Sequence, residues 1–142
     1  MKTLALRFGE QFSPVCGTIE AHKAILREKG YVWYGKLGNP ISDKNIRIIM
    51  DNDVPKILLI CSGKTQRYWA SIKEIQKVTP PLEGIPEYYR HNAYNFKTWF
   101  KIVSIEDASH DVMSRCTVIS SMTSLSQSSR HSMSPVFLIE YK

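Results

Sequence analysis

Long apolar runs are missing from this sequence. The longest, Ile57 to Cys61, is of strand length, whereas a membrane-spanning helix takes about 20 apolar residues. Cysteine is scarce: Cys16, Cys61 and Cys116 are odd in number and far apart, which fits neither a disulfide framework nor a zinc site. No Asn-x-Ser/Thr acceptor occurs, and Lys2 and Arg7 interrupt the N-terminus too early for a signal peptide. Acidic residues are short as well: 13 Asp and Glu stand against 19 Lys and Arg, a net charge of +6. These absences lead to the expectation of a reduced, cytoplasmic, basic chain with no membrane contact.

What is present is a core. Apolar residues make up 43% of the 142 residues and aromatics 11%, which excludes disorder as the main state. The length fits one domain, residues 1–142. Alternation of apolar and polar positions predicts strands over 2–8, 31–38, 56–61, 66–78, 98–105 and 135–141, with 115–120 a weaker candidate. Gly17-Thr18 opens a helix in which Thr18 is the expected cap, Ile19, Ile25 and Leu26 share a face with His22, and Gly30 is the stop. A second, shorter helix follows Ser42-Asp43, with Ile46, Ile49 and Met50 on one side. Glu87 to Arg90 is expected to form one helical turn. Residues 120–134 contain eight serines and are expected to form a long surface loop. The sum is an α+β chain: about six mostly antiparallel strands in a curved, partly closed barrel with flanking helices.

The charge is unevenly spread. Residues 64–101 are net +4, while residues 102–142 are net −1. The basic block also holds Tyr68, Trp69, Tyr88, Tyr89, Tyr94, Phe96, Trp99 and Phe100. Cations neutralise phosphate, and aromatic faces stack on bases at about 1–3 kcal/mol each. That mixture points to nucleic acid.

Catalytic and metal motifs are weak by comparison. Ser62-Gly63-Lys64-Thr65 resembles a phosphate-binding loop, but Leu58 stands where that loop needs glycine, and a strand follows rather than a helix. His22, His91, His110 and His131 have no partners at metal spacing. No cofactor or metal is expected. The aromatic set is the stronger lead: Trp33 and Tyr34 lie near Gly35 and Gly38, Trp69 follows Arg67 and Tyr68, and Trp99 lies in an apolar strand. A flat heterocycle needs such walls, and a methylated base gains from a dry, electron-rich face.

The order of these motifs resembles the PUA-like superfamily, especially its EVE and YTH branches. The stretch Tyr31-Val32-Trp33-Tyr34-Gly35-Lys36-Leu37-Gly38-Asn39 resembles their strand ending in Trp with a nearby Asn. The hairpin Lys56–Cys61 and Arg67–Ile75, and the strand Lys97–Ile105 followed by Glu106-Asp107, resemble the elements that come next. The resemblance implies a pseudo-barrel that binds a modified base in RNA or flipped out of DNA. Trp33 maps onto the aromatic cage; Tyr34, Asn39, Tyr68, Trp69 and Trp99 are further base-binding candidates. Lys36, Lys64, Arg67, Arg90 and Lys97 are the phosphate candidates. Some such domains resemble the specificity modules of McrBC-type restriction systems, where a reader is fused to a GTP-driven motor. This chain has no motor motif, so a fused or associated GTPase or nuclease would be its partner, with modified DNA the favoured ligand and RNA the alternative.

Two other functions compete. A small enzyme acting on modified nucleosides would use Lys23 or Lys64 with Glu20 or Glu74. A protein-interaction module would dock a partner through the serine-rich segment. The non-catalytic reader is the expectation carried forward.

Overall fold

The computed structural model describes all residues, 1–142. Its strands are β1 (Lys2–Arg7), β2 (Val32–Lys36), β3 (Lys56–Ile60), β4 (Tyr68–Gln76), β5 (Thr98–Asp107), β6 (Cys116–Val118), β7 (Thr123–Ser124) and β8 (Val136–Tyr141). Its helices are α1 (Thr18–Lys29), α2 (Asp43–Met50), α3 (Val112–Arg115) and α4 (Leu125–His131), and 3₁₀ turns cover Leu82–Gly84 and Glu87–Asn95. No helix is long and apolar enough to cross a membrane.

The strands form one sheet in the order β2-β5-β4-β3-β1-β8-β6-β7. Only β1 and β3 are parallel, in the register Arg7 opposite Ile60; every other pair is antiparallel. This corrects the expected six-strand, partly closed barrel: there are eight strands, and β2 and β7 are edges paired on one side only. The extra pairing comes from β6, which falls within the weaker candidate 115–120, and from β7, whose two residues are too short to carry a period-two signal.

Alternation splits the apolar residues between two faces. On one face Leu4, Leu6, Val32, Tyr34, Ile57, Leu59, Phe100 and Ile102 pack with Ile19 of α1 and Ile49 of α2. The opposite face carries two separate clusters. Ala5, Leu58, Ile60, Phe137 and Ile139 pack with Val112, Met113 and Leu125 from α3 and α4. Trp33 and Trp99 pack with Ile85, Tyr89 and Ala93 from the 3₁₀ segment.

Three local expectations are corrected. Gly17, at φ 91°, is the N-cap of α1, and the Thr18 N–H is held by the Glu10 carboxylate at 2.9 Å. The serine-rich segment is not a loop throughout, since it forms β7 and α4. Ser124 caps α4 by accepting from the Gln127 N–H at 3.1 Å, and Leu125 is fully buried. At the far end the Arg7 guanidinium donates to the carbonyls of Ser129, Ser132 and Ser134. Loop-like composition is overridden here by a cap and one arginine from a distant strand. The turn expected at Glu87–Arg90 is longer, reaching Asn95.

Candidate nucleic-acid interface

The parallel strands β1 and β3 end side by side, and the chain leaves them through two neighbouring loops. Phe8 N–H still donates to Ile60 C=O at 2.8 Å. Beyond that point residues 9–17 lead to α1 and residues 61–67 lead to β4. Between the second loop and the C-terminal end of α4 lies a cavity of about 280 Å³. Arg7, Lys64, Arg67 and Arg130 line it with Ser62, Gly63, Ser129 and Met133, and no carboxylate is in the lining.

The four cations are held differently. Arg7 is spent on structure: besides the three carbonyls it donates to the Ser62 hydroxyl. It contributes a fixed charge and orients the walls. Arg67 donates through Nη1 to the Thr65 carbonyl at 2.9 Å, which aims the rest of its guanidinium. Lys64 and Arg130 are exposed at the rim. Arg130 Nε touches the Ser126 carbonyl at 3.2 Å, one turn back.

On the helix-covered face of the same end, polar aromatics gather. Tyr34 is buried, Tyr68 and Tyr88 are partly exposed, and His22 is enclosed. The His22 ring lies 5.2 Å from Tyr34 and 6.5 Å from Tyr88. Lys23 Nζ stands 5.6 Å over the Tyr68 ring. Burial raises the Tyr34 hydroxyl pKa above its ordinary value, and the neighbouring Tyr88 and Cys61 add to the rise. Burial also raises that of Tyr88, with the nearby Glu10 and Cys16 charges acting in the same direction. Glu10 lies in the loop after β1, within reach of the Lys64 charge. Burial would raise its carboxyl, but hydrogen bonds from Thr18 and the charge of Lys64 outweigh it and hold the group below the usual value.

Trp33 and Trp99 lie elsewhere. They are 5% and 0% exposed, packed in the 3₁₀-covered cluster. A Cβ on Gly84 would come within 2.8 Å of Trp33 Cδ1, and one on Gly35 within 2.9 Å of Trp99 Cζ3, so both glycines permit the close packing. Lys101 Nζ stands 5.8 Å over the Trp33 ring. The buried Trp99 indole N–H has no hydrogen-bond partner. Trp69 belongs to the cluster beneath α3 and α4, edge-on to Tyr141 at 5.1 Å, with Lys56 Nζ 5.5 Å above it. The three tryptophans therefore do not form one cage, and none lines the cation-lined cavity.

The remaining candidates divide similarly. Lys36 Nζ turns back to the Leu37 and Asn39 carbonyls at 2.9 Å each, so it fastens its own loop, and Asn39 is exposed there. Arg90 Nε donates to the Ile85 carbonyl at 2.7 Å and holds the two 3₁₀ turns together. Lys97 is exposed at the start of β5. For the competing enzyme reading, Lys23 and Glu20 are neighbours on α1 at 3.9 Å, whereas Glu74 pairs with Lys101 at 3.9 Å.

Of the sequence candidates, Lys64 and Arg67 line the cavity, whereas Arg7 and Arg130, which line it with them, were not among the candidates. Arg7 and Arg130 are 123 positions apart in the numbering. Only the β1–β8 pairing and the fold of α4 bring them together, and no local pattern announces that.

No curated protein and no solved structure matches the chain. A family model described as Pua-like matches residues 4–135, from within β1 to the residue before β8, and with this sheet in hand the chain belongs to the Pua-like family.

Proposed function

We propose that the protein is a non-catalytic nucleic-acid-binding module that takes its ligand at the carboxyl ends of β1 and β3. The observation that carries the proposal is the cavity of about 280 Å³ lined by Arg7, Lys64, Arg67 and Arg130 with no carboxylate. Pua-like domains often bind nucleic acid, and a cluster of cations with no carboxylate in its lining is the electrostatic footprint of a phosphate ligand. Lys64, Arg67 and Arg130 meet phosphates, and Arg7 holds the walls in place.

The finer part of the proposal concerns the base. At the same end of the sheet, on the face covered by α1, a base meets the partly exposed Tyr68 and Tyr88 as walls, with Tyr34 buried in the core beneath that face. Glu10 retains lone pairs that accept from an exocyclic amino group, the pairing that suits cytosine or adenine. Following the resemblance to EVE and YTH readers, the base is a modified one. In duplex DNA it is flipped out at a cost of a few kcal/mol, offset by stacking on the tyrosines. Trp33 and Trp99 stiffen β2, which carries Tyr34. A restriction-type GTPase or nuclease is the partner this reading implies.

The test is binding to oligonucleotides carrying methylated cytosine or adenine against unmodified ones, as DNA and as RNA. Tighter binding to one modified form, lost in Tyr34→Ala and Tyr68→Ala, supports base reading. Equal affinity for every form, unchanged by either substitution, leaves a phosphate-binding module and refutes the modified-base part.

A further inference from the structure

The loop from Gly9 to Gly17 leaves β1 at the same end as the cation-lined cavity, next to the loop carrying Lys64. It is short and well fastened. Thr18 N–H donates to Glu10 Oε1 at 2.9 Å, and Thr18 Oγ1 donates to the Gly9 carbonyl at 3.1 Å. Ser13 donates through both N–H and hydroxyl to the Glu10 carbonyl, and Gly17 N–H donates to the Pro14 carbonyl at 2.8 Å. Between these ties Phe12 is 82% exposed and Val15 is fully exposed. Folding thus holds an apolar pair out in water and gains no burial from either side chain. Scattered exposed apolar residues are ordinary. Here, however, the pair crowns a pinned loop, and its base is close enough to the cavity for the Lys64 charge to act on Glu10.

We propose that Phe12, flanked by Val15, is a stack-inserting wedge for duplex nucleic acid. The inference rests on the nucleic-acid reading above and adds duplex engagement to it. With phosphates held by Lys64, Arg67 and Arg130, the loop meets the adjacent groove, and the Phe12 ring enters between base steps. It fills the space of a base drawn toward the tyrosines, replacing part of the stacking lost when a step opens at a few kcal/mol. The ties across the loop matter energetically, because a wedge already ordered in the free protein has little conformational entropy left to lose. Charge agrees: the one carboxylate in the loop, Glu10, is engaged on the Thr18 N–H.

The experiment uses a duplex with 2-aminopurine, whose fluorescence rises when its step unstacks, titrated with the full chain, Phe12→Ala and Phe12→Leu. The salt dependence of affinity is measured on the same samples. The wild type should raise the fluorescence severalfold, Phe12→Ala should abolish the rise while leaving the salt slope unchanged, and Phe12→Leu should restore part of it. A salt-dependent complex with no rise, or a rise equally large in Phe12→Ala, overturns the wedge alone. No binding to any duplex or single strand overturns the nucleic-acid reading and the wedge with it. Binding to phosphatidylserine vesicles that is lost in Phe12→Ala, with no rise on the duplex, assigns the loop to a lipid surface and also overturns the wedge.

Discussion

Tyr89 shows how one hydroxyl ties three parts of the molecule together. The Thr18 carbonyl, 2.8 Å from His22 Nδ1, can only accept, so Nδ1 carries the proton and Nε2 is the acceptor. The Tyr89 hydroxyl, 2.7 Å from Nε2, therefore donates to it and accepts in turn from the Gly35 N–H at 3.4 Å. The Trp33 carbonyl lies 3.2 Å away. Because β2 is an edge strand, this hydroxyl accepts from a Gly35 N–H that no neighbouring strand satisfies. Tyr89→Phe should cost about 1–3 kcal/mol, because it leaves the buried His22 nitrogen unpaired; chemical denaturation checks this. The same network fixes a pH response. Burial lowers the His22 pKa from 6.5 to about 4, the Thr18 hydrogen bond opposing it only in part. The folded state thus prefers the neutral ring. The resulting stability is full above pH 6.5 and lost as pH falls toward 4, a drop of about 3 kcal/mol at roughly 1.4 kcal/mol per unit. The urea midpoint should fall across that window in the wild type and much less in His22→Gln. His22 was legible in the sequence as a residue of the helix face, but its partner, 67 residues away, was not.

Elements were legible in proportion to their length and caps. Helix α2 follows its expectation closely: Ser42 accepts from the Asn45 N–H at 3.2 Å and Ile49 is buried. The hairpin of β3 and β4 and the strand β5 also stand where alternation placed them. The full extent of the 3₁₀ segment, and α4 as a whole, were not legible because their stability is tertiary. The first packs against Trp33 through Gly84, where a Cβ would lie 2.8 Å from the indole and 2.9 Å from Tyr31. Gly84→Ala should cost about 1–3 kcal/mol by overpacking, read as a lower thermal midpoint. Helix α4 is pinned by Arg7. Arg7→Gln keeps polarity but removes the forked donor, so amide exchange should accelerate over residues 128–134 while β1 stays protected. An unchanged exchange pattern there would show that the serine-rich segment holds its shape without Arg7.

At the scale of the whole molecule, the surplus of +6 gains a location. The sequence placed the densest positive charge in residues 64–101, but Arg90 of that block is turned to a backbone carbonyl, as is the candidate Lys36 outside it. The cavity instead draws Lys64 and Arg67 from that block and adds Arg7 and Arg130 from near the two termini. Net charge was readable in one dimension; its convergence depends on the sheet order that sets β8 beside β1 and β1 beside β3. The aromatic set divides too: Tyr34 and Tyr68 lie on the face covered by α1 and α2, whereas both tryptophan clusters lie on the opposite face, one of them sharing Ile60 and Met113 with the cavity lining. The central claim is that this cavity is where phosphate binds. It is tested most directly by the slope of log affinity against log salt for a single oligonucleotide, in the wild type and in Lys64→Ala/Arg67→Ala. The account predicts a slope shallower by about 2 in the double variant, about one unit per lost phosphate contact. An unchanged slope would contradict it and place the phosphates on another surface.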